Sequence, residues 1–421
     1  MKTLKRGVLV LWSLAVVSST LPAQSPFALR EGDHVVFYGD SITEQRLYTT
    51  FAESYVVTRF PKMNVSFVHS GWGGDRVTGG GGGPIDVRLW RDVLAYNPDV
   101  VTIMLGMNDG QYRAFDQPIF DTYANGYKHI IEVLKRQLPG VRITVIQPSA
   151  YDDVTRPPAD YGGYNATLQR YSQFIKELAV SEKLDLADLN TPVVAALTKA
   201  KEIDAQQSTR LINDRVHPGT GIQLVMAEAL LKSWNARALV TEVEIDAPRR
   251  AAVRQENTRV SNLKADSGIS WTQLDEALPM YMAAPDPKDP TFALAIQSSD
   301  AMVALNRQPL RVTGLAKGSY TLKIDGETVG TFTSEQLAAG INLAEQQTPM
   351  IAQAAMVHAL TLKHNNLHSA RWRQVQIAME RDALPATLKA LQALDELEAE
   401  VVRQQRAAAQ PVSRRYELAG N

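Results

Sequence analysis

The sequence predicts an α/β fold with a parallel sheet, followed by a β-rich module and C-terminal helices. Three observations predict this. Short apolar runs alternate with helix-like segments as far as about residue 240, the runs are apolar along their whole length, and the alternation stops after residue 242. Continuous apolar strands are typical of parallel sheets that helices cover on both faces. The 421 residues are enough for two or three domains.

The elements of the first domain follow from these patterns. Five apolar runs are predicted as the strands of one parallel sheet, at residues 35–38, 65–68, 100–105, 143–146 and 184–186. Helical spacing of apolar residues predicts the helices between and after them, at residues 42–60, 85–96, 123–137, 164–181 and 221–239. We expect Thr220 to cap the last helix, because its hydroxyl precedes the amphipathic segment.

The N-terminus has the pattern of a signal peptide. Basic residues are followed by an apolar run at residues 7–17, which is too short to span a bilayer, and then by small residues. We therefore predict a signal peptide at residues 1–23 and an exported protein, periplasmic or secreted; the alternative is an uncleaved anchor. No cysteine is present, which excludes disulfides and thiolate metal sites. The net charge of −1 does not favour nucleic acid or an anionic membrane as partner.

The rest of the chain divides at changes of pattern. We predict an α/β domain at residues 26–242, a β-rich accessory module at 243–345 and a C-terminal helical region at 346–421. The polar stretch from residue 248 to 262 resembles a linker or a loosely packed connection, and Asp325-Gly326 between alternating residues predicts a hairpin turn. Helical stretches are expected at residues 348–365 and 384–409.

A serine on a sharp turn is the first candidate for chemistry. Ser41 follows the first predicted strand and the pair Gly39-Asp40, and it precedes a predicted helix. The carboxyl ends of strands are where open α/β sheets bind their ligands. Backbone N–H groups at a helix start also favour developing negative charge. We expect Asp40 to fix the turn through backbone hydrogen bonds rather than to act as an acid.

A nucleophilic serine requires a base, and His217 fits that role best. Asp214 precedes it by three residues in a loop, so the carboxylate can bond to Nδ1 and leave Nε2 for the serine hydroxyl. The other histidines fit less well. His34 lies at the far end of the first strand, about 20 Å from Ser41 at the usual rise per residue. The remaining ones are expected in a strand, inside a helix or in the C-terminal region: His69, His129, His358, His364 and His368.

Two loops could supply hydrogen-bond donors to an oxyanion. They follow the second and third strands, at residues 70–75 and 105–110. The glycines of the first loop allow close approach of backbone N–H groups, and Asn108 in the second offers a side-chain amide. A plain turn or an Asx turn would explain each loop alone. Convergence of three strand ends and a histidine loop at one sheet edge favours a catalytic site.

Together these segments resemble the GDSL/SGNH hydrolases, which are named for Ser, Gly, Asn and His in four blocks. The blocks appear here in order, as residues 39–43, 71–75, 106–109 and 214–218. The resemblance covers about residues 33–240, and its one departure is His69, where many members have Asn. It implies a flavodoxin-like three-layer α/β/α fold and a serine esterase. The residues that it implies are Ser41, Asp214 and His217 as the triad, and Ser41, Gly74 and Asn108 as the oxyanion hole.

The resemblance implies no metal and no organic cofactor. The loop after the fourth strand is aromatic and acidic, and with Trp72 and the glycines at 79–83 it could border the site. We expect contacts to a small-molecule or polysaccharide ester from Trp72, Tyr151, Asp152 and Tyr164. An ordinary surface loop is the alternative. The family context favours deacetylation of a carbohydrate, and lysophospholipase or thioesterase activity stays open.

A function of another class also stays open at this point. The chain could be a non-catalytic carbohydrate-binding or cell-envelope interaction protein, with the β-rich module binding glycan. Its aromatic candidates are Trp271, Tyr281 and Trp372, although buried packing is the more common use of such side chains. The His364 and His368 pair has metal-ligand spacing, but without a third ligand nearby we do not predict a metal site.

Overall fold

The computed structural model describes residues 26–159, 161–265, 268–283, 286–380 and 384–421. The predicted signal peptide at residues 1–23 lies outside the described residues. Over the part of the chain that is described, no helix is both long and apolar enough to cross a membrane.

A five-stranded parallel sheet forms the centre of the first domain, as predicted. Its order is β2-β1-β5-β6-β7, and a two-stranded β3–β4 ribbon lies outside it. Helices cover both faces, because apolar side chains of the sheet pack into two separate cores. The strands are β1 (His34–Gly39), β2 (Ser66–Gly71), β3 (Gly79–Gly80), β4 (Gly83–Pro84), β5 (Val100–Met104), β6 (Arg142–Ile146) and β7 (Asp185–Ala187). The helices are α1 (Ser41–Glu44), α2 (Leu47–Arg59), α3 (Ile85–Asp92), α4 (Gln117–Gln137), α5 (Tyr164–Glu182), α6 (Asn190–Ile203), α7 (Ala205–Ser208) and α8 (Thr220–Ser233), with a 3₁₀ turn at Leu94–Tyr96.

Two details of the helices differ from the prediction. The helix expected at residues 42–60 is broken into α1 and α2 at Arg46, which has a left-handed φ of 57°. The expected cap at Thr220 is also wrong. Gly219 occupies the N-cap position without a side-chain hydrogen bond, and Thr220 is the first helical residue.

The β-rich module is a sandwich of two sheets. Their orders are β15-β12-β8-β9 and β10-β11-β16-β13-β14, and their apolar faces share one core. The stretch expected as a linker or a loosely packed connection contains β9 and part of β10, so it is not a linker. The predicted hairpin turn is present, with Asp325 and Gly326 both at positive φ. The strands are β8 (Glu242–Asp246), β9 (Ala251–Glu256), β10 (Thr258–Ala265), β11 (Ile269–Asp275), β12 (Pro309–Thr313), β13 (Ser319–Ile324), β14 (Glu327–Thr333), β15 (Ile341–Asn342) and β16 (Arg414–Gly420).

The C-terminal region is not helical throughout. Its last segment is β16, which pairs with β11 and β13 in the sandwich, because its apolar residues alternate and complete that core. The domain limits at 242 and 345 stay predictions. The helices of this half are α9 (Pro290–Gln297), α10 (Ala301–Leu305), α11 (Ser334–Ala339), α12 (Pro349–Ser369) and α13 (Pro385–Ala408), with a 3₁₀ turn at Leu343–Glu345 and a π-helix at Ala370–Ile377.

Helices α12 and α13 pack together and cover α2 of the first domain. A group of carboxylates and imidazoles joins them, made of Glu53, His69, His364 and Glu398. His364 lies between the two carboxylates, with Nδ1 3.1 Å from Glu53 and Nε2 3.1 Å from Glu398. Burial opposes the charge on His364, but Glu53 and Glu398 raise its pKa to about 10. Helices α12 and α13 are therefore attached to the first domain by paired charges as well as by apolar contacts.

Candidate active site

Ser41 is the first residue of α1, directly beyond the carboxyl end of β1. The turn is tight, because a Cβ on Gly39 would lie 2.7 Å from the carbonyl oxygen of Met104. Asp40 caps α1 by accepting a hydrogen bond from the Ile42 N–H at 3.0 Å, as expected of a turn residue. The half-buried Ser41 side chain consequently has a fixed position at the sheet edge.

The structure brings His217 and Asp214 to this serine. His217 Nε2 lies 2.7 Å from Ser41 Oγ, and His217 Nδ1 lies 2.6 Å from Asp214 Oδ2. Asp214 Oδ1 also accepts the backbone N–H groups of Val216 and His217 at 2.9 and 2.8 Å. One carboxylate thus shapes the loop and orients the imidazole.

The protonation of this group of residues follows from Asp214. Partial burial works against its ionised form, but hydrogen bonds from His217 and Val216 hold the pKa of Asp214 below its ordinary value. The ionised carboxylate only accepts hydrogen bonds, so His217 Nδ1 carries the proton. The lone pair on Nε2 is then free to accept the Ser41 hydroxyl proton, which is the arrangement of a general base beside a nucleophile.

The two predicted loops lie at the same edge of the sheet. Gly74 is exposed and has a left-handed φ of 75°, which favours glycine there although a Cβ would meet nothing within 4 Å. Asn108 is buried, and its Nδ2 donates one hydrogen bond to the Asp75 carbonyl at 3.0 Å. An amide nitrogen carries two hydrogens, so the second remains available for another acceptor.

Tyr112 also lies at this site, although the sequence motifs do not predict it. Its hydroxyl donates to Asn108 Oδ1 at 2.9 Å, which fixes the orientation of the amide, while 43% of the residue stays exposed. Partial burial, with the carboxylates of Asp40 and Asp214, raises the pKa of Tyr112 to about 12. Gln111 and Tyr112 both have positive φ. Such strain is often found at functional sites, but no residue pattern in the sequence indicates it.

Two of the four predicted substrate contacts have internal partners instead. The buried carboxylate of Asp152 caps a turn by accepting the backbone N–H groups of Val154 and Thr155. Tyr164 is buried, and its hydroxyl donates to the Met107 carbonyl at 2.6 Å. These groups stabilise the loop, which explains why an acidic and aromatic sequence there does not require a ligand.

Tyr151 and Trp72 have different surroundings. Tyr151 is half-buried, with its ring centroid 6.4 Å from that of Tyr112, so it lies next to the site. Trp72 is also half-buried but packs against the C-terminal π-helix, where the Arg373 guanidinium lies 3.5 Å from its ring centroid. Tyr151 therefore stays a proposed substrate contact, whereas Trp72 packs between its loop and the C-terminal π-helix.

Most other candidates from the sequence are buried in the structure. His69 bonds to Thr49 and Glu53, while Trp271 and Trp372 are packed in the interior. His364 and His368 both face Glu398. Within the described ranges, no group of three or more acidic or histidine side chains is arranged to hold a metal ion.

Two buried acids lie behind the serine. Burial raises the pKa of Asp40 to about 7, opposed by the Ile42 amide and assisted by nearby carboxylates. Burial likewise raises the pKa of Asp109 to about 7, although Asp109 accepts the Val77 N–H. Both groups lie inside the turns that form the site.

Comparison with known proteins gives the family of the first domain. Residues 37–221 match the GDSL-like lipase/acylhydrolase family. This domain belongs to that family. The chain is accordingly an ester hydrolase, and the interpretation as a non-catalytic binding protein is not supported.

Similar proteins include one that matches nearly the whole chain. The structure of BT4096, a gut microbial diltiazem-metabolizing enzyme, covers 94% of this hydrolase and 100% of its own chain, at 28% identity and a TM-score of 0.80. An acetylxylan esterase of Geobacillus stearothermophilus is 23% identical over 226 residues, which are 48% of this chain and 93% of that protein. The crystal structure of Axe2, an acetylxylan esterase of the same organism, covers 49% of this chain and 96% of its own, at 22% identity and a TM-score of 0.41. The first match indicates that the sandwich and C-terminal helices accompany the hydrolase domain in another enzyme.

Proposed function

We propose that the hydrolase cleaves carboxylic esters through an acyl-enzyme on Ser41, and that its substrates are acetylated carbohydrates. The supporting observation is the continuous hydrogen-bonded series from Asp214 through His217 to Ser41 at an accessible sheet edge. The side chains of His217 and Asp214 are 36% and 55% exposed, so an ester can approach them from solvent.

In the proposed mechanism, Ser41 Oγ attacks the ester carbonyl while His217 Nε2 takes its proton. The oxyanion accepts hydrogen bonds from the backbone N–H groups of Ser41 and Gly74 and from Asn108 Nδ2. The tetrahedral intermediate collapses when His217 returns the proton to the leaving alcohol oxygen. Water, deprotonated by His217, then attacks the acyl carbonyl, and the acid and free Ser41 are released. Asp214 stays ionised throughout and stabilises the imidazolium.

A short acyl group is proposed from the similar proteins. The relationship to an acetylxylan esterase supports acetyl esters of sugars, and the likeness to BT4096 supports adding small-molecule esters to a screen.

The experiment combines a covalent probe with a substrate series. A fluorophosphonate should modify Ser41, as read by peptide mass spectrometry, and it should leave Ser41→Ala unlabelled. Hydrolysis of nitrophenyl esters should fall steeply beyond short acyl chains, and acetylated xylo-oligosaccharides should release acetate. Labelling elsewhere with intact Ser41→Ala activity would refute the mechanism. A preference for long acyl chains would instead indicate the lysophospholipase or thioesterase alternative.

Export stays a proposal as well. The predicted signal peptide at residues 1–23 supports it, and N-terminal sequencing of the protein from its native cell tests it. A mature N-terminus near residue 24 is expected, whereas an intact Met1 would contradict cleavage.

A further inference from the structure

The C-terminal π-helix lies beside the loop that holds Gly74. We call residues 72–75 the oxyanion loop. π-Helices are rare and are frequently found at functional sites, because the extra residue per turn changes the direction of side chains. Here Ala370–Ile377 directs Arg373 and Trp372 towards the first domain.

Arg373 connects the oxyanion loop to the helix of the nucleophile. Its guanidinium lies 3.5 Å from the ring centroid of Trp72, the first residue of the loop. The same guanidinium forms an ion pair with Glu44 at 2.5 Å. Glu44 ends α1, the helix that begins at Ser41. One side chain therefore contacts both elements whose spacing sets the distance between Ser41 and the Gly74 N–H.

Trp372 supports the loop by a second, fully buried route. Its Nε1 donates to Asp92 at 2.6 Å, and Asp92 forms an ion pair with Arg88. Arg88 Nε donates to Asp75 Oδ2 at 2.6 Å, and the backbone carbonyl of Asp75 accepts Asn108 Nδ2. The π-helix is thus linked through side chains to the supports of both proposed oxyanion donors.

We propose that Arg373 is a positioning residue for the oxyanion hole, acting through Trp72 and Glu44 without touching the substrate. This inference rests on the proposed function. Negative charge on the carbonyl oxygen develops only in the transition state, so displacement of the loop lowers kcat and leaves KM nearly unchanged. The C-terminal helices would then complete the active site instead of only covering α2.

The test compares two arginines of the same π-helix. Arg373→Met removes the contacts to Trp72 and Glu44, while Arg371→Met removes an ion pair with Asp395 on α13 and serves as the matched control. Each full-length variant is measured for kcat and KM on nitrophenyl acetate, for thermal stability, and for active sites by fluorophosphonate titration. Arg373→Met is expected to lower kcat per titrated site by about tenfold or more, since small displacements of catalytic groups have large effects. Arg371→Met should keep the wild-type kcat.

Further variants separate positioning from folding. Arg373→Lys should restore much of the lost kcat, because it keeps a cation for the ring and the carboxylate. If Arg373→Met folds poorly, Glu44→Gln tests the same contact from the other side. Equal losses of kcat in Arg373→Met and Arg371→Met, or a wild-type kcat in Arg373→Met and Glu44→Gln, would overturn the inference and leave the proposed function intact. Wild-type protein without Ser41-dependent hydrolysis would overturn the proposed function itself.

Discussion

Among the described residues, one series of carboxylate, imidazole and hydroxyl groups lies at the open edge of the sheet and another lies beneath the C-terminal helices. We call them the edge series and the buried series. The edge series is Asp214–His217–Ser41, with distances of 2.6 and 2.7 Å. It lies beside an exposed glycine loop and an amide that can face an oxyanion.

The buried series has nearly the same connections. His69 Nε2 lies 3.1 Å from Glu53, and His69 Nδ1 lies 2.7 Å from Thr49 Oγ1. All three residues are at most 1% exposed. Burial lowers the pKa of His69 to about 4, so its imidazole is neutral at pH 7. Pairwise distances alone therefore do not define a hydrolytic site, since solvent access and proposed oxyanion donors distinguish the edge series from the buried series.

The largest expected difference between the two series is the change in kcat when the hydroxyl of each is removed. Ser41→Ala should lower kcat on the order of 10⁴-fold or more, because it removes the nucleophile. Thr49→Val should leave kcat within about twofold and lower the free energy of unfolding by about 1–3 kcal/mol, since His69 loses a buried partner. Initial rates and urea unfolding test the pair. A comparable loss of kcat in Thr49→Val would contradict a catalytic role for the edge series alone.

The next effect concerns the charge that attaches the C-terminal helices. His364→Gln should lower the free energy of unfolding by about 3–5 kcal/mol, because it leaves the buried carboxylate of Glu53 and the half-buried carboxylate of Glu398 without their shared cation. Urea unfolding of the full chain measures it. Adding Glu53→Gln to the variant is the control and should recover part of the loss. A change below 1 kcal/mol in the single variant would show that the cluster is not held by charge.

Asn108→Ala tests what the edge series has beyond its hydrogen bonds. Losing one oxyanion donor should lower kcat by about 10²- to 10³-fold with little change in KM. The serine and imidazole stay in place, so fluorophosphonate labelling of Ser41 should still reach completion, at a lower rate. Steady-state kinetics and labelling rates provide the measurement. A loss confined to KM would mean that the amide binds the substrate and not the transition state.

Alkaline pH should lower the free energy of unfolding by a smaller amount, because His364 loses its charge. In the unfolded chain His364 loses its proton near pH 6.5, but in the folded state its pKa is about 10, so the folded state holds the extra proton between these values. Stability should therefore fall as pH rises from 7.5 to 9.5, by at most about 1.4 kcal/mol per pH unit. Urea unfolding at several pH values measures this slope, which His364→Gln should reduce. An unchanged slope in the variant would contradict the assignment.

Tyr112→Phe should produce the smallest change. The Asn108 amide loses one hydrogen bond that fixes its orientation, a contribution of about 0.5–1.5 kcal/mol, so kcat should fall about two- to tenfold. Steady-state kinetics of Tyr112→Phe against Tyr161→Phe, an exposed tyrosine whose hydroxyl contacts the Tyr112 carbonyl, provide the comparison. An effect as large as that of Asn108→Ala would instead give the hydroxyl a direct role at the oxyanion.

The parallel sheet predicted from the sequence is confirmed, because apolar runs define its strands. Local patterns also indicate the residues of the edge series, through a glycine turn before Ser41 and a carboxylate three residues from His217, and their catalytic role stays a prediction. Contacts between distant segments are not visible in this way. Nothing near Trp72 indicates that Arg373 will lie on its ring, and the alternation in β16 does not tell which strands it joins. Strain at Tyr112 likewise depends on the folded chain.

The position of β16 has a consequence for how the protein folds. This strand lies in the middle of its sheet, between β11 and β13, with Trp271 paired to Tyr416. The sandwich consequently cannot complete its core until helices α12 and α13 have been synthesised, because β16 follows them in the chain. The parallel sheet does not depend on this late segment, because all of its strands lie in the first part of the chain. Pairings between residues far apart in the sequence, such as those of β16, form slowly. During synthesis the hydrolase domain should fold first, leaving the edges of β11 and β13 unpaired until the last strand arrives.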